Sequence, residues 1–208
     1  RMKSAGDTNG DGVEDYLVGA PLDVATFGTA WLYSGADHSL IRSHIGPALD
    51  AQYGLRLGSV GDIDNDTYDD YAVGSWHDDT AGTDAGRATI YSGFDGSVIT
   101  ELLGTLPKDH FGSCFGNLGD VNDDNVDDFF VGVGKGNGDI GYVRTYSGAN
   151  VAAGDPVVLY TVTGTVVGEW FGWSGDAIGD VNLDGKIDFI VGAPSGQVLP
   201  APPPGYAQ

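Results

Sequence analysis

One stretch recurs four times in this chain: an acidic loop that runs straight into a bare apolar strand. The copies read DTNGDGVEDYLVGAP from position 7, DIDNDTYDDYAVGSW from 62, DVNDDNVDDFFVGVG from 120 and DVNLDGKIDFIVGAP from 180. Their first residues, Asp7, Asp62, Asp120 and Asp180, are spaced by 55, 58 and 60 positions. Such self-similarity marks a repeat architecture, in which each unit buries its apolar surface against the next. Other markers keep the same phase. Aromatic-Gly pairs precede three copies, at Tyr53-Gly54, Phe111-Gly112 and Phe171-Gly172, and Tyr-Ser-Gly follows three, starting at Tyr33, Tyr91 and Tyr146.

One unit thus contains four short strands joined by Gly and Asp turns, the composition of one blade of a β-propeller. The expected fold is all-β, a propeller of four-stranded blades with about three and a half blades in this chain. The boundaries read as a partial blade 1–46, blades 47–104 and 105–164, a partial blade 165–198 and a Pro-rich tail or linker 199–208. Runs such as YLVGA and FFVGV are nearly continuously apolar, as suits strands covered on both faces. Gly19, Gly74, Gly132 and Gly192 recur at one phase, which reads as close packing near the axis. The chain opens just before an acidic loop and closes soon after another strand, so two blade edges are expected to stand open. Further blades, from missing sequence, a second copy or another subunit, are the expected remedy.

The charge narrows the partners. Thirty acidic residues against nine basic ones give a formal net charge of −21. Binding nucleic acid or an anionic membrane needs clustered Lys and Arg, so both are excluded as partners. No apolar run is long enough to span a bilayer. Cys114 is the single cysteine; it forms no intrachain disulfide and reads as a small buried residue.

The acid is concentrated, with 17 of the 30 acidic residues inside the four stretches, and like charge so dense demands a cation. Side-chain oxygens fall at positions 1, 3, 5 and 9 of each loop: Asp7, Asn9, Asp11 and Asp15; Asp62, Asp64, Asp66 and Asp70; Asp120, Asn122, Asp124 and Asp128; Asp180, Asn182, Asp184 and Asp188. Position 7 varies, as Val13, Tyr68, Val126 and Lys186, which suits a ligand that offers only its backbone carbonyl. Oxygen donors without His or Cys describe a hard cation, and their number favours Ca²⁺ over Mg²⁺, about four per chain in a structural role. An EF-hand needs Glu at position 12, where these loops have Val18, Val73, Val131 and Val191 inside β runs, so that reading fails. At position 6, Gly12 and Gly185 suit a left-handed turn and Asn125 tolerates it, whereas β-branched Thr67 predicts a slightly different second loop.

With these motifs in view, the sequence resembles the FG-GAP repeat of the integrin α-subunit propeller and its bacterial relatives. Phe171-Gly172, the loop Asp180 to Asp188 and Gly192-Ala193-Pro194 carry the likeness best, and Gly19-Ala20-Pro21 retains it, while the second and third units drift to VGSW and VGVG. The resemblance implies a seven-bladed, typically extracellular propeller with calcium loops on one face and partner-binding loops on the other.

Catalytic signatures are scarce. His38, His44, His77 and His110 show neither metal spacing nor a shared phase, and SWHDDTAGTDAG at 75–86 reads as a solvated loop. No nucleophile elbow or phosphate-binding loop is present, so no enzyme is predicted. Recognition is expected from the variable loops 20–29, 75–86 and 133–141 and the inter-blade loops 44–52, 104–110 and 164–170. The expected role is an extracellular module for protein–protein interaction, adhesion or surface assembly. Two alternatives are a non-catalytic part of a phospholipase-like hydrolase, which a carboxylate–His pair from different blades would favour, and a carbohydrate-binding propeller. The latter calls for tryptophans at one phase, which Trp31, Trp76, Trp170 and Trp173 do not share.

Overall fold

The computed structural model describes residues 1–23 and 27–194 and the backbone of 206–207. It is a row of four antiparallel sheets, each strand pairing with its sequence neighbour. The first sheet holds β1 (Met2–Gly6), β2 (Asp15–Ala20), β3 (Thr29–Tyr33) and β4 (Leu40–Ile45), and the second β5 (Arg56–Gly61), β6 (Asp70–Ser75), β7 (Arg87–Tyr91) and β8 (Val98–Leu103). The third holds β9 (Phe111–Gly119), β10 (Asp128–Val133), β11 (Tyr142–Tyr146) and β12 (Val158–Thr163), with short helical turns α1 (Gly136–Asp139) and α2 (Gly148–Ala152). The fourth has three strands, β13 (Ser174–Gly179), β14 (Asp188–Ala193) and β15 (Tyr206–Ala207).

These sheets are blades of a β-propeller, as the repeat predicts. The unit 1–46 has no aromatic-Gly pair ahead of its acidic loop but fills all four strand positions. Of the Pro-rich segment 199–208, only the backbone of 206–207 lies within the described residues, where it pairs with β14. The loop 20–29 lies partly outside them.

Hydrophobic burial sits between blades. Leu17, Ala30 and Leu32 of the first blade pack with Tyr53, Leu57, Tyr71 and Val73 of the second. Val60, Ala72 and Ile90 of the second meet Phe111, Phe115, Phe129 and Val131 of the third. Cys114, Leu118, Phe130 and Val143 of the third meet Phe171 and Val191 of the fourth. Burial pushes the Cys114 thiol pKa up to about 12, consistent with an inert core residue. The inner strands β1, β5, β9 and β13 surround a cavity of about 580 Å³ lined by Lys3, Arg56, Phe115 and Asp176. Lys3 and Asp176 form an ion pair between the first and fourth blades.

The aromatic-Gly pair and the strand glycine are two halves of one contact. A Cβ on Gly19 would run into the carbonyl of Gly54, one on Gly74 into that of Gly112, and one on Gly132 into that of Gly172. Gly54, Gly112 and Gly172 have φ of 83°, 83° and 87°, a region open mainly to glycine. Each therefore turns its carbonyl against the preceding blade where only glycine leaves room.

Candidate metal centres

Each inner strand ends in a bulge at a left-handed glycine (Gly6, Gly61, Gly119 and Gly179), which turns the chain into its acidic loop. All four loops share one hydrogen-bond frame. Asp7 accepts from the N–H groups of Gly10 (2.8 Å), Asp11 (3.2 Å) and Gly12 (2.8 Å). Asp62 accepts from Asp66 (3.0 Å) and Thr67 (2.8 Å), Asp120 from Asp124 (3.0 Å) and Asn125 (2.7 Å), and Asp180 from Asp184 (3.1 Å) and Gly185 (2.9 Å). The position-5 carboxylates Asp11, Asp66, Asp124 and Asp184 accept at 2.9 Å from the N–H groups of Val13, Tyr68, Val126 and Lys186. Such a frame requires left-handed backbone at two places. Position 4 supplies it at Gly10, Asn65, Asp123 and Leu183, and position 6 at Gly12, Thr67, Asn125 and Gly185. Thr67 adopts φ 80° like its counterparts, so the second loop keeps the common backbone despite its β-branched residue.

At position 3, the carboxamide oxygens of Asn9, Asn122 and Asn182 accept from the N–H groups of Asp11 (3.0 Å), Asp124 (2.9 Å) and Asp184 (2.8 Å). Position 9 ties the loop to the rest of its blade. Asp15, Asp70 and Asp128 are buried, and each accepts from the glycine N–H of its own Tyr-Ser-Gly: Gly35 at 3.0 Å, Gly93 at 2.9 Å and Gly148 at 3.1 Å. Their other oxygens accept from the position-2 N–H groups of Thr8 (3.0 Å), Ile63 (3.0 Å) and Val121 (2.9 Å). The third serine, Ser147, caps α2 by accepting from the Asn150 N–H.

Position 8 carries acid that the ligand pattern does not use, and it latches adjacent blades. Asp69 accepts from the N–H of Asp7 at 2.8 Å, and Asp127 accepts from the N–H of Asp62 at 3.3 Å. The fourth loop has Ile187 there, and position 7 takes over: Lys186 donates to the carbonyl of Asp120 (2.9 Å) and pairs with Asp123 (2.5 Å).

The donor set suits a hard cation. Carboxylate oxygens of Asp62, Asp64 and Asp70 lie within 4.8 Å of one another. Burial pushes the Asp70 pKa up to about 8, and burial followed by the charges of Asp66 and Asp62 raises that of Asp64. A divalent ion would relieve this cost directly, and oxygens that accept one hydrogen bond keep a second lone pair for it.

A second group escaped the sequence reading because His110 lies in a different unit from His77 and Asp84. One ligand atom each from His77, Asp84 and His110 lie within 4.8 Å of one another. The rings of Trp76 and Trp173 meet at 4.5 Å, Trp170 stacks on Trp173 at 4.9 Å, and the Arg56 guanidinium lies 4.3 Å over Trp76. A hint was available: His110 occupies the same place, just before aromatic-Gly, as Gln52 and Trp170, all three left-handed.

Fold and loops together define an FG-GAP-like β-propeller chain. By sequence it is homologous to integrin α subunits. It is 30% identical over 207 residues to integrin alpha-V of Gallus gallus and 27% identical over 204 residues to integrin alpha-8 of Mus musculus, covering 91% of this chain in each case. It spans 19% of the length of either relative. No protein-family model matches the chain. Among solved structures, Bacillus licheniformis rhamnogalacturonan lyase superposes with a TM-score of 0.54 at 14% identity, over 90% of this chain and 39% of that one. Rhamnogalacturonan lyase YesW gives 0.52 at 12% identity, over 91% and 40%. At such identities the likeness concerns the fold.

Proposed function

We propose that this chain is a calcium-stabilised, non-catalytic part of an extracellular β-propeller that works in protein–protein interaction, adhesion or surface assembly. Homology to integrin α subunits supports the class of role and the extracellular setting. One observation carries the need for a partner. Beyond their opening aspartates all four second strands are almost wholly apolar, yet only β6 and β10 are buried throughout. Burial alternates along β2, and in β14 only Val191 and Ala193 are buried. Ile178, Val181, Leu183 and Ile190 of the fourth blade are exposed. Further blades, from more of the same protein, a second copy or another subunit, would cover these faces and complete a ring, seven-bladed by the family resemblance.

Calcium is assigned to the loops: side-chain oxygens of positions 1, 3, 5 and 9 from Asp7 to Asp15, Asp62 to Asp70, Asp120 to Asp128 and Asp180 to Asp188, with the carbonyls of Val13, Tyr68, Val126 and Lys186. When bound, the ion supplies positive charge. The chain's own contribution is a prepared frame, with carboxylates fixed by backbone N–H groups before any ion arrives.

Two other readings are weaker. In the aromatic cluster the rings face one another and Arg56, while the Lys135 ammonium lies 4.9 Å over Trp170, leaving little open ring face for a sugar. Asp84 and His110 do meet across a blade boundary, as a hydrolase part would require. The neighbouring Ser113 hydroxyl, however, donates to the His110 carbonyl at 2.7 Å and accepts from Gly134 at 3.1 Å, so it is not poised as a nucleophile.

Native mass and thermal unfolding, with calcium and with EGTA, test the proposal. The expected result is about four ions per chain and a clear loss of Tm on chelation, at about 2.7 kcal/mol per site for calcium at 100 times Kd. A mass above that of one chain would identify self-completion. No bound calcium and unchanged melting would overturn the calcium assignment.

A further inference from the structure

We propose that His77, Asp84 and His110 form a site for a divalent transition cation of the Zn²⁺ class, distinct in chemistry and position from the acidic loops. Acidic loops join the first and second strands of each blade. The segment 75–86, which carries His77 and Asp84, joins β6 to β7 at the opposite end of the second blade. His110 comes from the link between β8 and β9 that enters the third blade.

Three observations make this a built site. First, one ligand atom from each residue lies within 4.8 Å of the other two, whereas two ligands 2.0–2.1 Å from one tetrahedral ion are about 3.3 Å apart, so small side-chain rotations would close the set. Second, backbone bonds fix the pieces to one another: the His110 N–H donates to the Asp84 carbonyl at 3.2 Å, and the Asp84 N–H donates to the Asp79 carboxylate at 2.8 Å. Third, His110 is 6% exposed and its buried Nδ1 has no hydrogen-bond partner, an unmet need in a polar ring. His77 Nδ1 already meets Asp84 Oδ1 at 2.5 Å.

Two imidazoles and one carboxylate are donors that suit Zn²⁺ and its neighbours, while calcium selects oxygen alone. The pair His77 and Asp84 is part-exposed, with side-chain exposures of 33% and 30%, which leaves an entry path and room for a water or a fourth ligand. The bound ion would fasten a variable loop of one blade to the entry strand of the next.

The deciding experiment is calorimetric titration of ZnCl₂ into calcium-saturated protein, with bound calcium counted before and after. One Zn²⁺ per chain, no calcium released, and uptake abolished in both H77Q and H110Q is the expected result. Because H110Q alters a buried residue, H77Q at a part-exposed position is the variant that must fold, checked by unchanged melting in calcium. A cobalt(II) visible spectrum of the wild type, with the absorption of a nitrogen–oxygen site of low coordination number, is a second readout. The proposal is overturned by no zinc uptake, by uptake that displaces calcium, or by uptake unchanged in H77Q. Since saturating calcium and zinc are counted separately, failure here would leave the calcium assignment standing, and the reverse also holds.

Discussion

The second and third blades differ from the first and fourth in what covers them, although their sequences follow one plan. The position-10 aromatics Tyr71 and Phe129 are fully buried, whereas Tyr16 and Phe189, at the same place in the repeat, are only half-buried. An apolar strand is thus a property of the unit, while its burial belongs to the neighbours on either side. A repeat protein gains its core one interface at a time, and the terminal units carry the unmet part.

The sharpest way to break this comparison is to truncate the same ring in both settings. Phe129→Ala is expected to cost about 3–5 kcal/mol in urea unfolding, within the range for a buried Phe, and Phe189→Ala about half of that. Equal losses would mean that the fourth blade is covered in solution, pointing to self-association.

A second contrast is electrostatic. The pKa values of Asp64, Asp69, Asp70, Asp127 and Asp128, all in the two central loops, are raised, with burial the leading cause in each. A raised native pKa means that the folded state holds protons the unfolded state has released. Calcium-free protein should therefore lose stability as pH rises from about 4, where unfolded carboxylates titrate, towards 8, by several kcal/mol. Saturating calcium should flatten that slope, because the ion replaces the proton. Melting curves at pH 5 and 8 with and without calcium check this, and a metal-free protein most stable at pH 8 would refute it.

Smaller effects should follow from the latches. Asp69→Ala or Asp127→Ala removes a half-buried charged acceptor between blades and should cost about 1–3 kcal/mol. Glu14→Ala, whose exposed carboxylate accepts from the Ser4 hydroxyl on β1 of the same blade, should stay within about 0.5 kcal/mol. The smallest change is a gain. Thr67→Gly relieves a β-branched residue at φ 80° and should stabilise by about 1 kcal/mol, seen as a higher urea midpoint.

The blade plan was legible because it is periodic. Acidic loops, aromatic-Gly pairs and recurring glycines repeat in phase, and each corresponds to one contact in the structure. Gly19 beneath the Gly54 carbonyl accounts for two of these markers at once. Position 8 was less legible, since Asp69 reads as one more acid until its partner, 62 residues away, is known. The α2 turn was overlooked because five residues are too few to leave a helical period. The histidine group was hidden for a different reason. Phase comparison finds what every unit shares, whereas His77, Asp84 and His110 meet because their units differ.

The left-handed residue before each aromatic-Gly has a consequence for how such a chain diversifies. Gln52, His110 and Trp170 have φ of 54°, 55° and 57°, so the backbone presents the side chain in one way whichever residue is there. The position behaves as a socket with a fixed mount and an exchangeable fitting, an amide in one blade, an imidazole in the next and an indole in the third. New chemistry can be installed there blade by blade, without renegotiating the fold that holds it.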